Sequence, residues 1–117
     1  MDTETQQAIT MVINQEIEKI KNIIIQTVPV EKIYLFGSYV YGTPNADSDY
    51  DFYVVVPDSG DRPATLTENI YNVLYKNTNG KPVDILVKRL SDFERRKILP
   101  TIEREVVSKG VVLYGDA

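Results

Sequence analysis

The sequence predicts an α/β (α+β) fold, a small mixed β-sheet flanked by helices, in a single domain over residues 1–117. Helix-like and strand-like apolar patterns alternate along the chain. The length of 117 residues suits one hydrophobic core. The apolar share of 43% and charged share of 26% are those of globular proteins. Helices on one side of the sheet would be the economical arrangement.

The composition excludes several classes of site. The chain has no cysteine and no histidine, so disulfides, thiolate chemistry and the usual general base are absent. No apolar run approaches the ~20 residues that cross a bilayer, and the start MDTETQQ lacks a basic signal region. We therefore expect a cytoplasmic protein that does not bind membranes. The net charge of −4 argues against binding long nucleic acids.

The first element is predicted to be a helix that ends at Pro29. Thr3 and Gln6 have the spacing of a capping box at its start. Isoleucines at intervals of four and three residues form one apolar face: Ile9, Ile13, Ile17, Ile20 and Ile24. This pattern is typical of a helix that covers a core, and docking of another chain on a surplus apolar face is the alternative.

Four apolar runs predict strands. The run at 31–36 is apolar on both faces, which is typical of an interior strand. The run at 52–56 ends at Pro57, and 82–87 and 111–114 supply the third and fourth strands. In the third run Val83, Ile85 and Val87 alternate with Asp84 and Leu86, so the acid faces away from the valines.

Helical patterns lie between these strands. The first is amphipathic and ends near Asn79-Gly80, with apolar positions at Leu66, Ile70, Val73 and Leu74. Ser91 and Glu94 predict a capping box for the next helix. Thr101 restarts a helix that ends at Gly110. The basic trio Arg95, Arg96 and Lys97 has the character of a solvated helix face, with a triphosphate or partner contact as the alternative.

The candidate site lies around a turn and a pair of acids. Gly37 permits a tight turn and close approach of a ligand, and Ser38 adds a hydroxyl and a backbone N–H. Asp49 follows after ten intervening residues, and Asp51 follows at the period of a strand, so both side chains project from one face. Two ionised carboxylates about 7 Å apart repel by roughly 2.5 kcal/mol. A protein with two such neighbouring carboxylates either uses them in its function or leaves both fully exposed to water.

Asp84 is the third candidate residue. An acid within an apolar strand is costly to bury unless it is paired, hydrogen-bonded or binds a cation, although an exposed acid at a strand end is the simpler explanation. If the second and third strands are neighbours, Asp84 converges with Asp49 and Asp51 opposite the Gly37-Ser38 turn. Three carboxylates favour Mg²⁺ or Mn²⁺. A phosphate-cradling turn beside them suggests a nucleoside triphosphate and phosphoryl or nucleotidyl transfer.

The Gly-Ser turn and the acids that follow it resemble the motif of a known protein family. Gly37-Ser38, ten intervening residues and Asp49-Tyr50-Asp51 form G-S-x10-D-x-D, which resembles the signature of the DNA polymerase β-like nucleotidyltransferase superfamily. The chain looks like its minimal members, small prokaryotic proteins usually encoded beside a HEPN-domain protein. The similarity runs from about Glu31 to Tyr114 and includes the strand with Asp84 and the segment IEREVVSKGVVLY.

The resemblance implies a role for each candidate residue. Asp49 and Asp51 would hold two Mg²⁺ ions, with Mn²⁺ as a substitute, and Asp84 would complete the site of the ion that activates the acceptor hydroxyl. Gly37 and Ser38 would bind the triphosphate of ATP. The acceptor oxygen would attack the α-phosphate and release pyrophosphate. In members paired with HEPN toxins the protein is an antitoxin that transfers AMP to a tyrosine of the toxin, and this is our leading hypothesis.

Two other functions stay open. The chain would be a binding module that masks its partner without catalysis, although the intact motif counts against this. Alternatively, it would modify a small molecule such as an antibiotic, as a homodimer. Larger relatives hold acceptor and base with a second domain, for which 117 residues leave no room. A partner chain, a second copy or the acceptor itself would then complete the pocket.

Overall fold

The computed structural model describes residues 14–41, 49–77 and 82–116. In these ranges four strands form one sheet: β1 (Lys32–Phe36), β2 (Tyr50–Val56), β3 (Val83–Arg89) and β4 (Val111–Tyr114). The strand order is β3-β2-β1-β4. β1 is antiparallel to both β2 and β4, whereas β2 and β3 are parallel. The predicted mixed sheet, with the first strand in its interior and the second and third strands adjacent, is confirmed.

The helices of the described ranges are α1 (Gln15–Thr27), α2 (Ser38–Tyr41), α3 (Pro63–Asn77), α4 (Leu90–Arg96) and α5 (Ile102–Lys109). α3 supplies the crossover that two parallel strands need, because β2 and β3 cannot be joined by a hairpin. The predicted end of α3 at Asn79-Gly80 lies outside the described residues. Within the described ranges, no helix has the length and apolar character needed to span a bilayer.

Hydrophobic clusters cover both faces of the sheet. On one face, buried residues of α1 and α3 pack on the strands, and this cluster includes Ile17, Ile20, Ile24, Ile33, Leu35, Phe52, Val54 and Ile70. On the other face, α4 and α5 pack on a smaller cluster of Tyr34, Tyr53, Val55, Phe93 and Val106. The prediction of helices on one side only was therefore wrong. β1 and β2 are apolar on both faces, and each face needs its own cover.

α1 begins later than the sequence pattern predicts. Asn14 has extended backbone geometry and caps the helix, because its Oδ1 accepts the backbone N–H of Ile17 at 2.9 Å. A continuous helix through this position was therefore a wrong prediction. The Thr3–Gln6 capping box lies outside the described residues, as do Ile9 and Ile13. The predicted end is confirmed, since Val28 is extended before Pro29.

The predicted ends of α5 agree with the structure, whereas the predicted start of α4 does not. Thr101 caps α5 by accepting the backbone N–H of Arg104, and Gly110 ends the helix, as predicted. The capping box at Ser91 was wrong, because α4 already begins at Leu90. The backbone N–H of Ser91 donates instead to Oδ1 of Asp58, at 2.9 Å, in the loop after β2.

A buried charged network joins α4 and α5 to the sheet. Glu103 is 0% exposed; it accepts the Tyr53 hydroxyl proton at 2.8 Å and the Arg96 Nε–H at 2.8 Å. Burial alone would raise the pKa of Glu103, but the hydrogen bonds from Tyr53, its own backbone and Arg96 outweigh burial and lower the pKa. Burial and the Glu103 carboxylate together raise the pKa of Tyr53. The network therefore holds an ionised carboxylate inside the protein.

Candidate functional site

The sheet topology brings the three candidate aspartates to one edge. β1 is antiparallel to β2, so its C-terminal residue Phe36 lies opposite Asp51. β3 is parallel to β2, so Asp84 is the register partner of Asp51. Asp49 immediately precedes β2, two residues from Asp51 and on the same face by strand alternation. The convergence expected from the sequence is present in the backbone pairing, next to Gly37.

Gly37 makes room for the Asp51 carboxylate. Its φ is +82°, in the left-handed region that favours glycine. A Cβ atom built on Gly37 would overlap Oδ2 of Asp51 and lie 2.8 Å from its Cγ. Two separate physical reasons therefore favour glycine at this position: the positive φ, and the Asp51 side chain that occupies the space a Cβ atom would need.

We expect Gly37→Ala to lower the free energy of unfolding by about 2 kcal/mol or more, because backbone strain and the clash with Asp51 add. Gly60→Ala is a matched control: Gly60 also has a positive φ, of +93°, but no atom lies within 4 Å of its Cβ position. Chemical denaturation of both variants measures the difference. Equal losses in the two variants would show that the contact with Asp51 contributes nothing.

The electrostatics of the site favour a proton or a cation at Asp51. Burial, the negative charge of Asp84, a hydrogen bond with Asp84 and the charge of Asp49 raise the pKa of Asp51 to about 6. None of the ion pairs in the described part of the chain involves these three aspartates. Among the residues that the structure describes, the carboxylates are thus brought together without an ion pair to a lysine or arginine.

The raised pKa predicts a pH dependence of stability. The folded protein binds the Asp51 proton more tightly than the unfolded chain, whose ordinary value is 3.8. The stabilisation is therefore complete below about pH 4 and lost as the pH rises through about 6. Because Asp51 is partly exposed, we expect only about 1 kcal/mol. Urea unfolding in EDTA should show this loss in the wild type relative to Asp51→Asn; parallel pH profiles would contradict it.

Ser38 and the nearby tyrosines flank the acids. Ser38 is exposed and is the first residue of α2, directly after Gly37. Tyr39 and Tyr50 are buried, with their rings edge to face at 4.9 Å. Tyr53 is buried as well, so these three tyrosines are core residues. The side chain of Tyr41 lies outside the described residues.

Asn14 is a residue near the site that the sequence pattern did not reveal. Its Nδ2 donates to the hydroxyl of Tyr39 at 3.0 Å and to that of Tyr50 at 3.2 Å. An asparagine just before an apolar helical pattern is a cap signal. The first predicted helix was extended through this position, which concealed the signal.

The donor set fits a magnesium ion that is shared with a substrate. In residues 14–41, 49–77 and 82–116, no group of three or more acidic side chains forms a ready-made metal cluster. Two adjacent carboxylates with a third nearby still fit Mg²⁺, which usually binds through one or two carboxylates and takes its other oxygens from water and phosphates. Zinc fits less well, since the chain has neither histidine nor cysteine.

The basic trio is engaged in local ion pairs. Arg96 binds buried Glu103 while its own side chain stays partly exposed, so this arginine ties the helix to the core in addition to facing solvent. Arg95 pairs with Asp92 at 3.2 Å, and Lys97 pairs with Glu94 at 2.6 Å. A contact of this trio with a triphosphate would compete with these pairs.

The comparisons with known proteins agree with this geometry. The family model described as Polymerase beta, Nucleotidyltransferase matches residues 18–117. A crystal structure of a toxin-antitoxin with AMP-PNP is 26% identical, with a TM-score of 0.56, over 85% of this chain and 73% of that chain. A crystal structure of the toxin-antitoxin MntA-HpeT, in a mutant with two aspartates changed to glutamate, is 25% identical, with a TM-score of 0.55, over the same shares.

A third solved structure shows the fold alone. It is described as a nucleotidyltransferase from Sulfolobus solfataricus and is 17% identical, with a TM-score of 0.58, over 98% of this chain and 89% of that chain. No curated protein matches the sequence significantly. The predicted fold and the predicted family are both confirmed.

Proposed function

Because the chain belongs to the polymerase beta nucleotidyltransferase family, we propose that it transfers AMP from ATP to a tyrosine hydroxyl of a HEPN-domain toxin and so acts as an antitoxin. The observation that carries the proposal is the Asp51–Asp84 pair beside Gly37. Two similar structures are of toxin-antitoxins, one of them with AMP-PNP. Residues 1–117 would form one nucleotidyltransferase domain, with the partner completing the pocket.

In this proposal each residue of the site has one task. Asp49, Asp51 and Asp84 would hold two Mg²⁺ ions, which would neutralise charge at the triphosphate and activate the acceptor hydroxyl. Gly37 and Ser38 bind phosphate oxygens through the backbone and the serine hydroxyl. The two substituted aspartates of the MntA-HpeT mutant lie two positions apart, the same spacing as Asp49 and Asp51 in this chain.

Asp51 and Asp84 lie together, and no ion pair of residues 14–41, 49–77 and 82–116 involves either of them, which favours catalysis over simple masking. A protein that only covers its partner gains nothing from clustered negative charge, which costs free energy in the absence of a cation. Burial is the largest cause of the raised pKa of Asp51, and the charges of Asp84 and Asp49 raise this pKa further, in the direction of this cost. A bound divalent cation would reverse it, since opposite charge stabilises the ionised carboxylate.

The experiment uses ATP labelled at the α-phosphate, Mg²⁺, this protein and a HEPN-domain protein from the same genome. We expect label on the HEPN protein, and mass spectrometry should locate AMP on a tyrosine. Asp61→Asn is the matched control, since Asp61 lies in the exposed loop after β2 and should leave the transfer unchanged. Label on small molecules alone would support antibiotic modification. A stable complex without label would support masking and overturn the proposal.

A further inference from the structure

One side chain connects the two parts of the candidate motif. Asn14 lies at the start of α1, far in sequence from Tyr39 and Tyr50, yet its Nδ2 donates to both hydroxyls. Its Oδ1 accepts the backbone N–H of Ile17. The two amide protons and the carbonyl oxygen therefore serve three different elements: α2, the start of β2 and α1.

The two tyrosines are placed beside the residues that we assign to the site. Tyr39 follows Ser38 directly, and Tyr50 lies between Asp49 and Asp51. Both rings are nearly buried, at 8% and 3% exposed, and they pack edge to face. A shift of either ring moves the backbone that carries the phosphate-binding turn or the carboxylates.

We infer that Asn14 is a positioning residue: its amide bonds to Tyr39 and Tyr50 fix the distance between the Gly37-Ser38 turn and the Asp49–Asp51 strand end. This inference rests on the proposed function, because the fixed distance is the one a metal-bound triphosphate must span. Displacements of about 1 Å in such sites cost up to about 10²-fold in rate.

Few other side chains fit this position. Aspartate caps a helix but carries no N–H donor, and serine caps a helix but is too short to bridge two hydroxyls. The serine variant therefore separates the two roles of Asn14. Asn14→Ser keeps a good N-cap for α1 and removes both bonds to the tyrosines.

The test compares Asn14→Ser, the double variant Tyr39→Phe/Tyr50→Phe, and their combination. Asn22→Ser is the control, an exposed asparagine on the same helix. Hydrogen exchange, measured without any ligand, shows how well the backbone amides of residues 37–41 and 49–51 are protected. Calorimetry with Mn²⁺ and AMP-PNP reports the assembled site.

We expect Asn14→Ser to speed exchange in both segments, to leave α1 protected, and to weaken binding of Mn²⁺ with AMP-PNP about tenfold. The tyrosine double variant should give at least this loss, and adding Asn14→Ser to it should cost nothing further, because the bonds from Asn14 to the two hydroxyls are already gone. ATP turnover should show a higher KM than in Asn22→Ser.

Three results would overturn the inference: exchange and binding equal to those of Asn22→Ser, additive losses in the combined variant, or faster exchange confined to α1. The last result would leave Asn14 as a helix cap alone. If the wild type does not bind Mn²⁺ with AMP-PNP while exchange rises in both segments of Asn14→Ser, the proposed function fails and the structural link stands.

Discussion

Replacing Asp49 and Asp51 together by asparagine should abolish nucleotide transfer and leave the fold intact. The two side chains lie at the sheet edge with Asp84, so their loss removes most of the negative charge that would hold divalent cations. A bound cation contributes several kcal/mol to such reactions, and the expected loss of rate is at least about 10³-fold. Transfer of labelled AMP measures the rate, and circular dichroism checks the fold.

The stability of this double variant separates a catalytic loss from a structural one. Burial, and after it the charges of Asp84 and Asp49, raise the pKa of Asp51. Asparagine carries no charge to bury or repel, so the metal-free variant should unfold at a temperature no lower than the wild type. Asp61→Asn should transfer at the wild-type rate. Wild-type transfer by the double variant would contradict the assignment of Asp49 and Asp51.

Glu103→Ala should lower the free energy of unfolding by about 3 kcal/mol, because it breaks a buried ion pair from one side. Glu103 is fully buried, and its removal leaves the Tyr53 hydroxyl and the Arg96 guanidinium without their acceptor. Arg96 is 39% exposed and can recover some hydration. The expected loss is therefore at the low end of the range for buried ion pairs from which one partner is removed. The thermal midpoint should fall by roughly 12 °C or more.

Glu105→Ala is the control for this loss. Glu105 lies on the same helix and pairs with Lys109 at 3.3 Å, but both side chains are more than half exposed. Its removal should change the free energy of unfolding by less than about 0.5 kcal/mol. A Glu103→Ala variant as stable as Glu105→Ala would mean that the buried network contributes no net stability.

The strands and the convergence of the acids could be predicted because both depend on local periodicity. Alternation along β3 turns Asp84 away from Ile85, and the apolar character of β1 predicts its interior place. The apolar character of β1 also implied that other elements must cover both faces of the sheet. The economical one-sided arrangement was wrong because it left Tyr34 and Tyr53 without a cover.

The parts that sequence reasoning missed depend on partners distant in the chain. Asp58 binds the N–H of Ser91 across 33 positions, and this bond replaces the local capping box. Glu103 has no local signal, because an acid in a polar helix is ordinarily exposed, and only Tyr53 and Arg96 make its burial possible. Tertiary contacts of this kind override local patterns.

The central claim is that Asp49, Asp51 and Asp84 hold divalent cations against a nucleoside triphosphate. A crystal of the protein soaked in Mn²⁺ and AMP-PNP tests it most directly, because manganese has an anomalous signal. We predict manganese within about 2.2 Å of carboxylate oxygens of Asp51 and Asp84, with the triphosphate against Gly37-Ser38. Nucleotide bound elsewhere, or no manganese at the three aspartates at saturating concentration, would contradict the claim.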